Sequence, residues 1–286
     1  MKLNAFFISL IVIPMAVLFQ SCDIFNPAEP VPAYIKIESI PVQSTPAYGS
    51  SSAKITDIYV LVDNVSIGAY PLPASFPVIA SGSHTVLISP GIVVNGISNA
   101  RGIYPFYHNY SETVNLEPGK ITVMNPVTAY RDVTVSWLET FDTGNSLVKT
   151  TSSDVDISTF PPGDPEIFEG ASSGRVIIDG SNTKFDLQTS GDFLLPYTSA
   201  IFLEINYKCN NTFDVGIIAD NGTSQDRFAS LTINPKETWN KLYVDITQGV
   251  ITHKNAFDYK IYFSGTRSGA NATAYFYFDN LKLLHN

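Results

Sequence analysis

Bond-breaking chemistry needs a nucleophile beside a base, or two carboxylates placed across a scissile bond. The acidic side chains of this sequence are scattered, and no H-E-x-x-H or phosphate-loop pattern organises them. Asp154, Asp156, Asp164, Glu166 and Glu169 crowd one polar stretch. Acids in such a stretch read as a solvated loop before they read as an active site, so no enzyme is expected. Binding chemistry is better represented. Tyr104-Pro105-Phe106-Tyr107-His108-Asn109-Tyr110 brings four aromatic rings and a histidine together. Tyr104 and Tyr107 could stack against sugar rings there, or alternate members could pack inside while the others cover a sheet edge. Asn221, Gln225, Asp226 and Arg227 form a second polar set on a turn, where side chains can orient a ligand or simply meet solvent. Tyr197, Tyr259 and Tyr262 are further aromatic candidates. His84 and His108 have no His, Cys or carboxylate neighbours at metal-ligand spacing. Cys209 sits in an alternating segment as a small buried residue with no base beside it.

These residues must be positioned by strands. Hydrophobic residues make up 44% of the 286, aromatic ones 12% and charged ones only 15%, a composition that builds a core. Branched and aromatic side chains favour the pleated surface of a sheet. The segment 34–40 alternates with period two, and 57–62 and 66–70 flank an Asp63-Asn64 turn as a hairpin would. Strands and turns continue at this spacing to about Tyr130. Beyond a polar loop at 150–174, stronger runs follow, among them 200–207, 213–219, 239–246, 259–263 and 274–283. No stretch shows a sustained helical period with caps. The net charge of −9, without clusters of Lys or Arg, opposes binding to nucleic acid.

The first residues carry an address. Lys2 precedes an almost unbroken apolar run from Ala5 to Phe19, too short to cross a membrane comfortably at about 20 residues. Leu18-Phe19-Gln20-Ser21-Cys22 resembles the lipobox of bacterial lipoproteins. That resemblance implies cleavage before Cys22, lipidation of its thiol, and a cell-envelope location, most simply the outer membrane. Residues 1–21 are then the signal peptide, and 22–32, with prolines at 27, 30 and 32, a semi-rigid tether. Asp23 leaves the membrane leaflet open, because an acidic residue there is read differently in proteobacteria and in Bacteroidetes.

Residues 33–130 resemble in layout the Ig-like or transthyretin-like β-sandwich modules near the tether of Bacteroidetes surface lipoproteins. Residues 131–286 resemble the galactose-binding-like jelly rolls, a class that includes many carbohydrate-binding modules. The likeness rests on Glu139-Thr140-Phe141-Asp142, on Trp239-Asn240-Lys241-Leu242-Tyr243-Val244-Asp245, and on Phe276-Tyr277-Phe278-Asp279-Asn280-Leu281-Lys282-Leu283. It implies an all-β fold, a core position for Trp239, and a structural calcium where first and last strands meet, with Glu139, Asp142 and Asp279 as ligands. Asp279 could instead cap the final strand. The sequence thus predicts a lipid-anchored, non-catalytic glycan-binding protein. The alternative is an assembly subunit that docks to other envelope proteins through sheet edges or loops.

Overall fold

The computed structural model describes residues 29–269 and 272–286; the leader, Cys22 and most of the tether lie outside the described residues. The chain builds two β-lobes. In the first, β1 (Ala33–Ile37), β2 (Val42–Gln43), β3 (Asp57–Val62), β4 (Val65–Pro71) and β5 (Ala74–Val78) are followed by β6 (Gly82–Val93), β7 (Arg101–Ile103), β8 (Tyr110–Leu116), β9 (Ile121–Met124) and β10 (Thr128–Ala129). One sheet runs β5-β1-β9 and a second β4-β3-β6, with β7 and β8 both lying along β6. Alternation decides which side chains point inward: Ala33, Ile35 and Ile37 of β1 are fully buried, while Tyr34 and Lys36 face away. The hairpin expected around Asp63-Asn64 is present. Both residues take positive φ, 49° and 65°, as the two-residue turn that matches strand twist requires.

The second lobe contains β11 (Thr134–Glu139), β12 (Leu147–Lys149), β13 (Ser158–Thr159), β14 (Gly174–Ile178), β15 (Lys184–Thr189), β16 (Ile201–Cys209), β17 (Phe213–Asp220), β18 (Gln225–Ile233), β19 (Lys236–Asp245), α1 (Thr247–Thr252), β20 (Asp258–Thr266) and β21 (Ala274–His285). A six-stranded sheet runs β13-β14-β21-β16-β19, with β11 also paired to β21, and faces a five-stranded sheet β12-β15-β20-β17-β18. Phe185, Phe213, Phe263, Phe276 and Phe278 fill the space between them. This is the jelly-roll sandwich expected of an all-β chain. The short α1 was not separable from the strands around it in the sequence. Gly249 tucks it against Phe228 and Ile217, where a Cβ would come 2.9 Å from the Phe228 ring.

A third apolar cluster joins the lobes, with Tyr104, Phe106, Tyr107 and Tyr130 of the first against Phe202, Tyr243 and Leu284 of the second. At its centre lies Glu204, wholly without solvent exposure. Tyr243 on β19 and Lys282 on β21 stand directly opposite it on either side. Lys241 Nζ lies 2.7 Å from its carboxylate, and the hydroxyls of Tyr104 and Tyr130 donate to it at 2.9 Å each. Lys282 Nζ donates to the Ser50 carbonyl at 2.7 Å and to the Tyr130 hydroxyl at 3.0 Å. Burial opposes ionisation of Glu204, but the Lys241 and Lys282 ammonium groups outweigh it and hold the carboxyl below its ordinary 4.5. Burial also lowers Lys282, to about 8, against the pull of Glu204.

Removing one member of a buried ion cluster leaves the others uncompensated, at a cost of about 3–5 kcal/mol. Glu204→Gln is expected to lose that much at neutral pH, measured by urea unfolding. Because the folded-state carboxyl titrates below the unfolded one, the stabilisation is present above pH 4.5 and is lost as pH falls through the folded value. The gap between wild type and variant should therefore close on acidification.

Candidate functional site

The five-stranded sheet turns one face to the core and the other outward. Strand register places Asp186, Ser264, Asp214 and Thr232 in one row across β15, β20, β17 and β18 on the outward face. The next row holds Gln188, Tyr262 and Gly216. Gly216 lies under the Tyr262 ring: a Cβ there would approach its Cε1 to 2.8 Å. Arg227 crosses above the same ring, its guanidinium carbon 3.9 Å from the centroid, and Nη1 donates to Asp186 Oδ2 at 2.7 Å. Clamped between glycine and guanidinium, Tyr262 is only 3% exposed. Burial raises its hydroxyl above the ordinary tyrosine range.

Asp186 carries the unfinished chemistry of this face. The residue is 8% exposed, and while Oδ2 takes the Arg227 bond, Oδ1 is buried with no hydrogen-bond partner. A buried acceptor left empty costs about 1–3 kcal/mol, so this carboxylate gains from any donor that reaches it. Asp186, Asp214, Thr232, Ser264 and Lys184 line a cleft of about 340 Å³ beside the Arg227–Tyr262 stack. Short acceptors, a hydroxyl row and a ring beneath a guanidinium suit a polyhydroxylated ligand.

The sequence-predicted residues are distributed differently. Tyr104 and Tyr107 are not a sugar platform; both are 0% exposed in the contact between lobes, where no ring face reaches solvent. Tyr104 donates to Glu204, and Tyr107 shares a 3.0 Å bond with Tyr243. Desolvation raises both phenols well above their ordinary value. In the β17–β18 turn, Asn221 donates to Asp226 at 2.9 Å and Gln225 to Asp220 at 3.0 Å, so these side chains knit the turn. Arg227 alone of that set reaches Asp186, which lines the cleft. Trp239 is not in the core either: its indole N–H donates to the Glu166 carbonyl at 3.1 Å, and it packs on Phe168. Cys209 is a free, fully buried strand residue whose thiol burial pushes up to about 11. His84 bonds to Asp63 at 2.6 Å in an exposed pair.

The acids proposed for calcium are not gathered around one point. Glu139 accepts from the Phe141 N–H at 2.7 Å and from Ser146. Asp142 accepts from Ala171 N–H at 2.6 Å. Asp279 accepts from Ser173 Oγ at 2.5 Å and Asn280 N–H at 2.7 Å. Asp142 and Asp279 share a cavity of about 440 Å³ with Glu169, where burial pushes the Asp279 carboxyl up to about 7. Among the described residues no three His, Cys, Asp or Glu side chains are placed to hold a metal ion. In this arrangement the donor set does not fit calcium, because Glu139 lies outside the cavity that Asp142 and Asp279 share.

Gly170-Ala171-Ser172-Ser173-Gly174 spells G-x-S-x-G, the nucleophile-elbow pattern, which corrects the expectation that the sequence has none. It leads from a loop into β14 rather than from a strand into a helix. Ser172 is buried and donates to the Phe160 carbonyl at 2.7 Å, so the spelling has no elbow geometry behind it.

No family model matches the chain, and no curated protein matches it. Among solved structures, similarity is found to the Clostridium thermocellum xylanase 10B fragment with its CBM22-1 and GH10 modules in complex with xylohexaose. Identity is 15% and TM-score 0.41, over 53% of this chain and 28% of that one. An isolated family 22 xylan-binding domain matches at 15% identity and TM-score 0.36, over 54% of this chain and 96% of its own. A family 61 module in complex with β-1,4-galactotriose matches at 12% identity and TM-score 0.34, over 51% and 94%. These likenesses are distant.

Gly216→Ala is expected to destabilise the protein by about 1–3 kcal/mol, because its methyl has no room between Tyr262 and the Phe228 carbonyl. A melting curve that matches wild type would show that the Tyr262 seat is not tight.

Proposed function

We propose that the protein is a non-catalytic glycan-binding protein of the cell envelope, most simply of the outer membrane, anchored through Cys22. The glycan lies on the outward face of the five-stranded sheet. One observation carries the reading: Asp186, whose Oδ1 is buried without a partner, lines a cleft together with Ser264, Asp214 and Thr232. A sugar hydroxyl supplies the missing donor, and neighbouring hydroxyls exchange bonds with Ser264 and Thr232. Displacement of Arg227 from Tyr262 then offers the ring to a sugar face, since an exposed guanidinium gives up its stack at about 0.5–1 kcal/mol.

A glycan array with the chain from Glu29 onward tests this. Binding is expected, and Asp186→Leu should weaken it at least about tenfold, as expected when a hydroxyl loses its buried acceptor. Chelator should leave binding unchanged, given the carboxylate partners described above. A blank array would overturn the glycan reading. For the anchor, incorporation of labelled fatty acid is expected in the wild type and not in Cys22→Ala.

The assembly alternative has one observation in its favour. Edge strand β9 leaves Ile121 and Val123 60% and 57% exposed, a surface to which a partner strand can add. Co-purification of a fixed envelope protein that is lost on Val123→Lys, together with a blank array, would favour it.

A further inference from the structure

A cavity of about 350 Å³ lies where the two lobes meet and reaches edge strand β18 of the five-stranded sheet. The first lobe contributes Lys54, Thr56 and the turn after β6; the second contributes Asn234, Lys236 and Asn240 around the β18–β19 connection. Four cationic side chains border it, in a chain whose net charge is −9. Two are already matched: Arg101 to Asp57 at 2.6 Å and Lys241 to Glu204 at 2.7 Å. Among the described residues, Lys54 and Lys236 have no carboxylate within ion-pair distance. Lys54 is steered into the cavity by a 2.6 Å bond to Asn240 Oδ1. The two ammonium groups feel one another: burial first, then Lys236, lowers the pKa of Lys54. Like charges held together beside a polar cavity, with opposite charge in surplus elsewhere, form a site that an anion completes.

We propose that this cavity binds the oxyanion of an acidic sugar, a uronate carboxylate or a sulfate ester, through Lys54 and Lys236. Its volume sits at the low end of about 300–1,000 Å³ for small-molecule sites, which suits a sugar unit rather than a macromolecular surface. Asn240 spends its carbonyl on Lys54, and Asn234 adds an uncommitted amide for sugar hydroxyls. Thr232 on edge strand β18 borders both this cavity and the Asp186 cleft, so one chain can occupy the two in succession. The sugar portion of this inference rests on the glycan reading; the oxyanion portion does not.

Isothermal titration of the intact protein with an oligogalacturonide, its methyl ester, a sulfated galactan oligomer and inorganic sulfate separates the cases. One acidic oligomer, carboxylated or sulfated, is expected to bind at least about tenfold more tightly than its uncharged counterpart, the strength of a charge-assisted bond. That preference should shrink as ionic strength rises. The Lys54→Gln/Lys236→Gln variant should lose it while keeping the wild-type melting temperature and any binding of the methyl ester. Equal binding of charged and neutral oligomers, or a preference the double variant retains, overturns the inference and leaves the sheet-face site standing. Binding of inorganic sulfate alone, lost in the double variant, supports the oxyanion site and overturns the glycan reading. Silence from every probe overturns both.

Discussion

Glu204 is the constraint on which the rest of the molecule depends. A carboxylate with no exposure must be matched by charge and hydrogen bonds, and its partners come from both lobes. Lys241 and Lys282 lie on the two strands that flank β16, whereas Tyr104 and Tyr130 belong to the other lobe. The sheet alone would leave this row of charges in water. Once the first lobe covers it, each polar group must find its partner in one arrangement. Apolar contact among Phe106, Phe202 and Leu284 is tolerant of small rotations; the charge and hydroxyl network is not.

Legibility in the sequence followed the range of the interactions. Strands with strict alternation, such as β1 and the β3–β4 hairpin, declare themselves because period-two patterning and turn chemistry are local. Tyr104 and Tyr107 were open to two readings because an aromatic cluster is equally compatible with a core and with a platform. What covers it lies about a hundred residues away. Glu204 and Asn206 gave the opposite signal, polar members of an alternating strand, and still ended buried. Trp239 shows the limit of resemblance: the matching residues support the jelly roll, yet this indole lies on the outside of its sheet, against the loop that holds Glu166 and Phe168.

The candidate cleft was nearly invisible in the sequence for the same reason. Asp186, Tyr262, Gly216 and Arg227 come from four strands, and only the order β15-β20-β17-β18 sets them side by side. Of these, Tyr262 was one of three undistinguished tyrosine candidates, and Arg227 was singled out as part of a loop whose other members turn inward to hold the turn together. Gly216 has a precise job with no motif: the absence of a side chain lets Tyr262 lie flat against the sheet.

The contact between the lobes also has a mechanical meaning. With an interface of aromatic rings, buried ions and backbone bonds such as Asn95 N–H to the Tyr243 carbonyl, the lobes cannot pivot like beads on a string. A load applied to the second lobe would reach the first strand at Ala33 through a single stiff strut. The cleft's bearing relative to that strut is therefore set when the chain folds.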